Sequence, residues 1–223
     1  MIDESRLVPG LDASWHCDGQ TCQVLVVSWG SGVDARALLR SAVAAYCAVS
    51  PASVGTGSLC PRCGSNEHGR PLARIGTRRT PPHVSLSRAG ALVVVAVTDA
   101  GPVGVDVEPD GAASFAGFDD VALHPREHVT SDADRTRTWV RKESLLKATG
   151  HGLGVDPREV RLGPPGHPPE VLEWPTARWP ALPGPVWMYD LELGPGHVGA
   201  VTVLSAARPE LRVRTAAPAT HAR

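Results

Sequence analysis

Asp106 and Glu108 are the first pair in this chain whose types and spacing suggest chemistry. They lie in Val103-Gly104-Val105-Asp106-Val107-Glu108, where valine alternates with other residues. Alternation is the period of a β-strand, so the valines share one face and the carboxylates the other, roughly 6.6 Å apart. Two carboxylates near a strand end can bind a hard cation such as Mg2+. A solvent-facing strand end explains them equally well. Gly104, without a side chain, is expected to leave room for a ligand on their face. The second segment is Trp139-Val140-Arg141-Lys142-Glu143-Ser144-Leu145-Leu146-Lys147. Trp139, Glu143 and Lys147 recur at i, i+4, i+8, which is one helix face. As a surface ion pair, Glu143 and Lys147 contribute only a few tenths of a kcal/mol. The lysine census points further. Of 22 Lys+Arg, two are Lys, and these are Lys142 and Lys147. Arg has displaced Lys everywhere else. A site that needs a compact point charge on a phosphate would resist that exchange. Glu143 could complete a metal site with Asp106 and Glu108, and the two lysines could meet phosphate oxygens. Those are the parts of phosphoryl-type transfer.

These residues need elements to hold them. Residues 24–29 read as a buried strand, and Asp34 can cap a helix running to about Ala48. Residues 55–83 show little periodicity and read as irregular. Ala91–Thr98 and Val103–Glu108 read as strands around a Gly101-Pro102 turn. A helix is expected from about Asp132 to Thr149, ending at Gly150. Residues 163–185 hold eight of the 21 prolines and read as a long loop with a short strand near Val171-Leu172. Val186–Leu193 and His197–Ser205 read as a hairpin. The expected architecture is α+β, in two similar halves, 1–101 and 102–207, with 208–223 a disordered tail. Hydrophobic residues make up 42% and the net charge is −1, which suits a globular protein without polyelectrolyte character. No nucleic-acid partner and no membrane partner are expected. Apolar runs such as Ala91 to Val97 are far too short for a span. The acidic N-terminus has no apolar leader, so a cytoplasmic location is expected.

The pairing of Gly104-Val105-Asp106-Val107-Glu108 with Trp139 to Lys147 resembles the signature of the 4'-phosphopantetheinyl transferases. The class it is most similar to is the monomeric, surfactin-synthetase-activating (Sfp) type. His68-Gly69-Arg70-Pro71 resembles that family's Gly-Lys-Pro motif. Val84-Ser85-Leu86-Ser87-Arg88-Ala89-Gly90 resembles its Phe-Asn-Ile-Ser-His-Ser-Gly motif. Pro125-Arg126-Glu127 resembles its acidic position between the two core motifs, and Gly150 to Gly154 continues its Lys-Ala-x-Gly-x-Gly pattern.

The resemblance implies two halves related by a pseudo-twofold axis, with coenzyme A between them. It implies transfer of the phosphopantetheine arm to a serine of an acyl or peptidyl carrier protein, releasing 3',5'-ADP, for polyketide, nonribosomal peptide or fatty acid synthesis. Asp106, Glu108 and Glu143 would hold Mg2+, and Glu143, or a water it orients, would be the base. Lys147 would neutralise the pyrophosphate, with Lys142 a second phosphate contact. Gly69, Arg70 and Pro71 would lie near the adenine and its 3'-phosphate, with Ser87 and Arg88 close by. A monomer is implied, and residues 111–130 are the first choice for carrier docking. Three positions depart from the family: Arg88 replaces His, which removes any proton-transfer role there; Arg70 replaces Lys; Ser85 replaces Asn. From His68 to Thr98 there are five Arg and no acid, a basic strip suited to a polyphosphate.

Other readings compete. A paralogue that binds coenzyme A or a carrier without catalysis would share the motifs, and a metal-dependent phosphohydrolase would share the carboxylates. Cys60-Pro61-Arg62-Cys63-Gly64 resembles half of a zinc site, for which Cys17 and Cys22, or His68, could supply the rest. That makes a zinc-knuckle interaction module a third alternative. A tight turn with reduced thiols is the plainer reading. No Gly-x-Ser-x-Gly elbow supports a serine hydrolase.

Overall fold

The computed structural model describes residues 23–30, 32–76 and 78–216. Strand β1 (Gln23–Trp29) is buried along its whole length because both faces are covered. Leu25, Val27 and Trp29 face helix α1 (Ala35–Cys47), while Val24 and Val26 face a second sheet. Asp34 starts α1 as expected, its carboxylate accepting from Ala37 N at 3.1 Å.

Residues 55–83 are not irregular. They contain strands β2 (Val54–Leu59) and β3 (Arg70–Ile75), which pair antiparallel, and the start of β4 (His83–Ala89). The β2–β3 ribbon is exposed along much of its length, so no alternating apolar pattern marks it. β5 (Leu92–Thr98) pairs with both β4 and β1.

The second sheet begins with β6 (Val103–Pro109). The short helix α2 (Phe118–Ala122) and the long helix α3 (Asp132–Thr149) follow. Ser131 caps α3, and Gly150, at φ 77, ends it where expected. A two-residue strand β7 (Arg161–Leu162) pairs with β8 (Val171–Glu173), and β9 (Val186–Leu191) and β10 (His197–Leu204) form the expected hairpin.

The first sheet has the order β11-β1-β5-β4 and the second β6-β10-β9. Without β11 the two orders are the same: an opening strand, then the second strand of a hairpin, then the first. The fold is α+β. The sheets pack face to face through Val24, Val26, Val94 and Ala96 against Val103, Val105, Val201 and Val203. α1 covers the outer face of the first sheet, and Leu145, Leu146 and Ala148 of α3 cover that of the second.

The chain's end corrects the expectation of a tail from residue 208. β11 (Glu210–Ala216) pairs parallel with β1, from Gln23↔Glu210 to Trp29↔Ala216. Its alternating Leu211, Arg212, Val213 and Arg214 suit an edge strand with one wet face. No helix among the described residues is long and apolar enough to cross a membrane.

Candidate active site

β4 and β6 belong to different sheets yet lie side by side, and two serines bridge them. Ser85 Oγ accepts from Val105 N at 3.0 Å, and Ser87 Oγ donates to Asp106 Oδ1 at 2.8 Å. From the other side α3 approaches β6 very closely. A Cβ on Gly104 would stand 2.0 Å from Ser144 O and 2.4 Å from Ala148 N. The room expected there for a ligand is filled by the helix. Gly104 is needed for backbone approach, and that approach aims Lys147 at Asp106.

Lys147 Nζ donates to Asp106 Oδ1 at 2.6 Å, to Ser87 Oγ at 3.2 Å and to Val105 O at 3.3 Å. Asp106 is buried, and its second oxygen, Oδ2, has no hydrogen-bond partner among the described residues. A buried carboxylate oxygen left without a partner is costly. Glu143 and Glu108 face the same spot. Burial pushes the Glu143 carboxyl up; Lys147 opposes this, and the charges of Asp106 and Glu108 add to it. Burial and the Asp106 charge push Glu108 up as well, against Lys147 and a hydrogen bond from Trp139. Trp139, Glu143 and Lys147 therefore share a face of α3, as their spacing requires. These carboxylate oxygens do not all close to within 4.8 Å of one another. The donor set nevertheless fits a hard divalent cation: three carboxylates that repel one another, one of them with a buried oxygen to spare.

Lys142 does not belong to this group. Its side chain is fully buried and donates to Ala122 O at 2.8 Å, Pro157 O at 2.9 Å and Glu127 Oε2 at 2.6 Å. All three protons are used, so the expected phosphate contact is excluded. One residue from Glu143 is about 100° around the helix, which turns Lys142 toward α2. Glu127, the acidic position between the motifs, also accepts from His124 N and Leu162 N, both at 2.7 Å, and so ties its own loop and strand β7 to α3. Arg141, singled out by nothing in the sequence, is equally buried. It grips Asp190 with two hydrogen bonds of 2.8 and 2.6 Å, and holds the proline-rich loop by Pro165 O and His167 O at 3.1 Å.

Lys147 also lines a cavity of about 290 Å3 with Gly69, Arg70, Pro71, Ser85 and Gly150. A cavity of about 450 Å3 adjoins it across Arg70 and Pro71. The Arg70 guanidinium has no ion pair or hydrogen bond among the described residues. Burial holds its guanidinium below the ordinary value, so it is a half-desolvated cation without an anion. His83, in the second cavity, is held low by burial and by the Arg70 charge. Arg88 is exposed and, by strand alternation, leaves β4 on the face opposite Ser87. Ser87 is buried against Asp106 and Lys147 and positions them.

Residues 102–179 match the family model of the 4'-phosphopantetheinyl transferase superfamily. The matched stretch covers β6, α3 and the proline-rich loop as far as residue 179, and therefore Asp106, Glu108, Glu143 and Lys147. No curated protein matches the chain.

Proposed function

We propose that this protein transfers the 4'-phosphopantetheine arm of coenzyme A to a serine hydroxyl of an acyl or peptidyl carrier protein, as the surfactin-type transferases do. The observation that carries the reading is Lys147. One ammonium joins the buried Asp106, within the stretch similar to the superfamily, to a cavity walled by the unpaired Arg70.

In this reading Arg70 takes the 3'-phosphate, and Lys147 takes charge that develops on the pyrophosphate oxygens. Ser87 keeps Lys147 and Asp106 in register. Glu143, whose carboxylate burial makes a stronger base, accepts the proton of the carrier serine, directly or through a water. The serine oxygen bonds to the phosphorus of the phosphopantetheine arm, and the bond to the bridging oxygen breaks, so 3',5'-ADP leaves with that oxygen. Asp106, Glu108 and Glu143 would hold Mg2+, which supplies charge neutralisation at the pyrophosphate. The carrier approaches over residues 111–130, where Phe115 and Val121 are exposed.

The test is the intact mass of an apo carrier protein after incubation with this protein, coenzyme A and Mg2+. The expected result is a gain of one phosphopantetheine, abolished by EDTA and by Asp106→Ala. No gain on acyl, peptidyl or polyketide carriers, together with retained coenzyme A binding, would replace the enzyme by a binding protein.

A further inference from the structure

The hairpin opposite the carboxylates carries a second cluster that phosphopantetheine transfer does not use. β2 ends at Leu59, and the chain turns through Cys60-Pro61-Arg62-Cys63-Gly64. Gly64 N donates to Cys60 O at 2.8 Å and Cys60 N donates to Ser65 O at 2.9 Å, closing the turn. Gly64, at φ 73, supplies the left-handed step. The chain then returns, and a His68 ring nitrogen, Nε2, lies 3.4 Å from Cys63 Sγ. One ligand atom each from Cys60, Cys63 and His68 lies within 4.8 Å of the other two. Among the described residues no other group of three or more metal-ligating side chains converges in this way.

The geometry suits one ion. Tetrahedral zinc bound by sulfur and imidazole nitrogen sets its ligand atoms about 3.5–3.8 Å apart. Small side-chain rotations bring the three atoms to that spacing. Hydrogen bonds from the backbone amides of Cys63 and Arg62 hold the Cys60 thiol below its ordinary value, which favours the thiolate. The surroundings explain why an ion would be kept. Leu59 and Leu72 are 47% and 41% exposed, so the ribbon's tip has no apolar core of its own, and an isolated two-stranded ribbon is marginal. The hairpin arms also touch here. A Cβ on Gly69 would lie 2.5 Å from Cys60 Cα and from Leu59 O. Arg70 and Pro71, next in the chain, line both cavities.

We propose that Cys60, Cys63 and His68 bind a structural Zn2+ that fastens the tip of the β2–β3 hairpin. Two thiolates and an imidazole select a borderline-soft ion over Mg2+ or Ca2+. The fourth position falls to water; Cys17 and Cys22, named above for that role, lie outside the described residues. The proposal does not depend on the transfer reaction, and its test reads metal alone.

The full-length protein, reduced and loaded with Zn2+, is freed of excess metal by gel filtration and assayed for zinc, then exchanged with Co2+ for absorbance. The expected result is one zinc per chain and a thiolate-to-cobalt charge-transfer band. Cys60→Ser, Cys63→Ser and His68→Ala each weaken binding tenfold or more with an unchanged far-ultraviolet spectrum, since all three lie on an exposed ribbon. Asp106→Ala keeps its zinc. Wild-type protein without stoichiometric zinc overturns the proposal. So does a Cys60→Ser/Cys63→Ser double variant that keeps its zinc.

Discussion

Asp106 has one oxygen engaged by Lys147 and Ser87 and another engaged by none of the described residues. Glu108 and Glu143, pushed up beside it, bind protons more readily in the folded chain than in the unfolded one. Stability from that source is complete below the ordinary glutamate value of 4.5 and is lost as pH rises through the raised values. A divalent cation favours the charged forms and reverses the loss. Mg2+ at a hundredfold excess over its Kd should therefore stabilise the protein by about 2.7 kcal/mol near neutral pH. The gain should fade toward pH 4.5, which thermal unfolding at several pH values would reveal. Lys142 behaves differently. Lys142→Met leaves Glu127 buried without its cation and should cost about 3–5 kcal/mol in urea unfolding. Coenzyme A affinity should not change, and Lys142→Met/Glu127→Leu should recover part of the loss. The two lysines resist exchange for arginine for different reasons. Lys147 meets the carboxylates, whereas Lys142 must pass between two carbonyls to reach Glu127, where a compact ammonium fits and a planar guanidinium does not. Sequence spacing cannot tell these apart, because the deciding partners are backbone oxygens of distant loops.

Helix α3 was legible down to its ends and strand β6 to within one residue, since each carries its own periodicity and α3 its own caps. Their separation was not legible. A glycine in a strand signals either space or close approach, and Gly104 proves to be the second. Gly104→Ala forces the helix and strand apart, which should cost at least about 1–3 kcal/mol. It should also lower kcat more than it raises KM for coenzyme A, because Lys147 moves off Asp106 while the cavity's other wall stays in place. Steady-state kinetics beside a melting curve would check both. The β2–β3 ribbon was illegible for the opposite reason. It buries too little to impose a pattern, and its Gly55 and Gly57 read as loop. The arginine clamp from α3 to the proline-rich loop was hidden too, because Arg141 looks like any surface arginine until Asp190 is brought to it across the sheet.

The whole molecule repeats one sheet order twice, then adds β11 to the first sheet alone. The repeat could be anticipated from the succession of strands and helices. The return of the chain's end could not, because parallel pairing between the first and last strands leaves no local trace. Deleting residues 210–223 strips β1 of one neighbour and opens an edge rich in valine. That variant should unfold at lower urea and self-associate, as sedimentation would show. The same pairing has a consequence for synthesis. Ser28 and its partner Thr215 are 187 residues apart. At about 5–20 residues per second, β1 leaves the ribosome roughly 10–40 s before its outer neighbour exists. During that interval the first sheet is exposed to whatever strand the cell offers it, so the protein should be most dependent on chaperones just before β11 is synthesised.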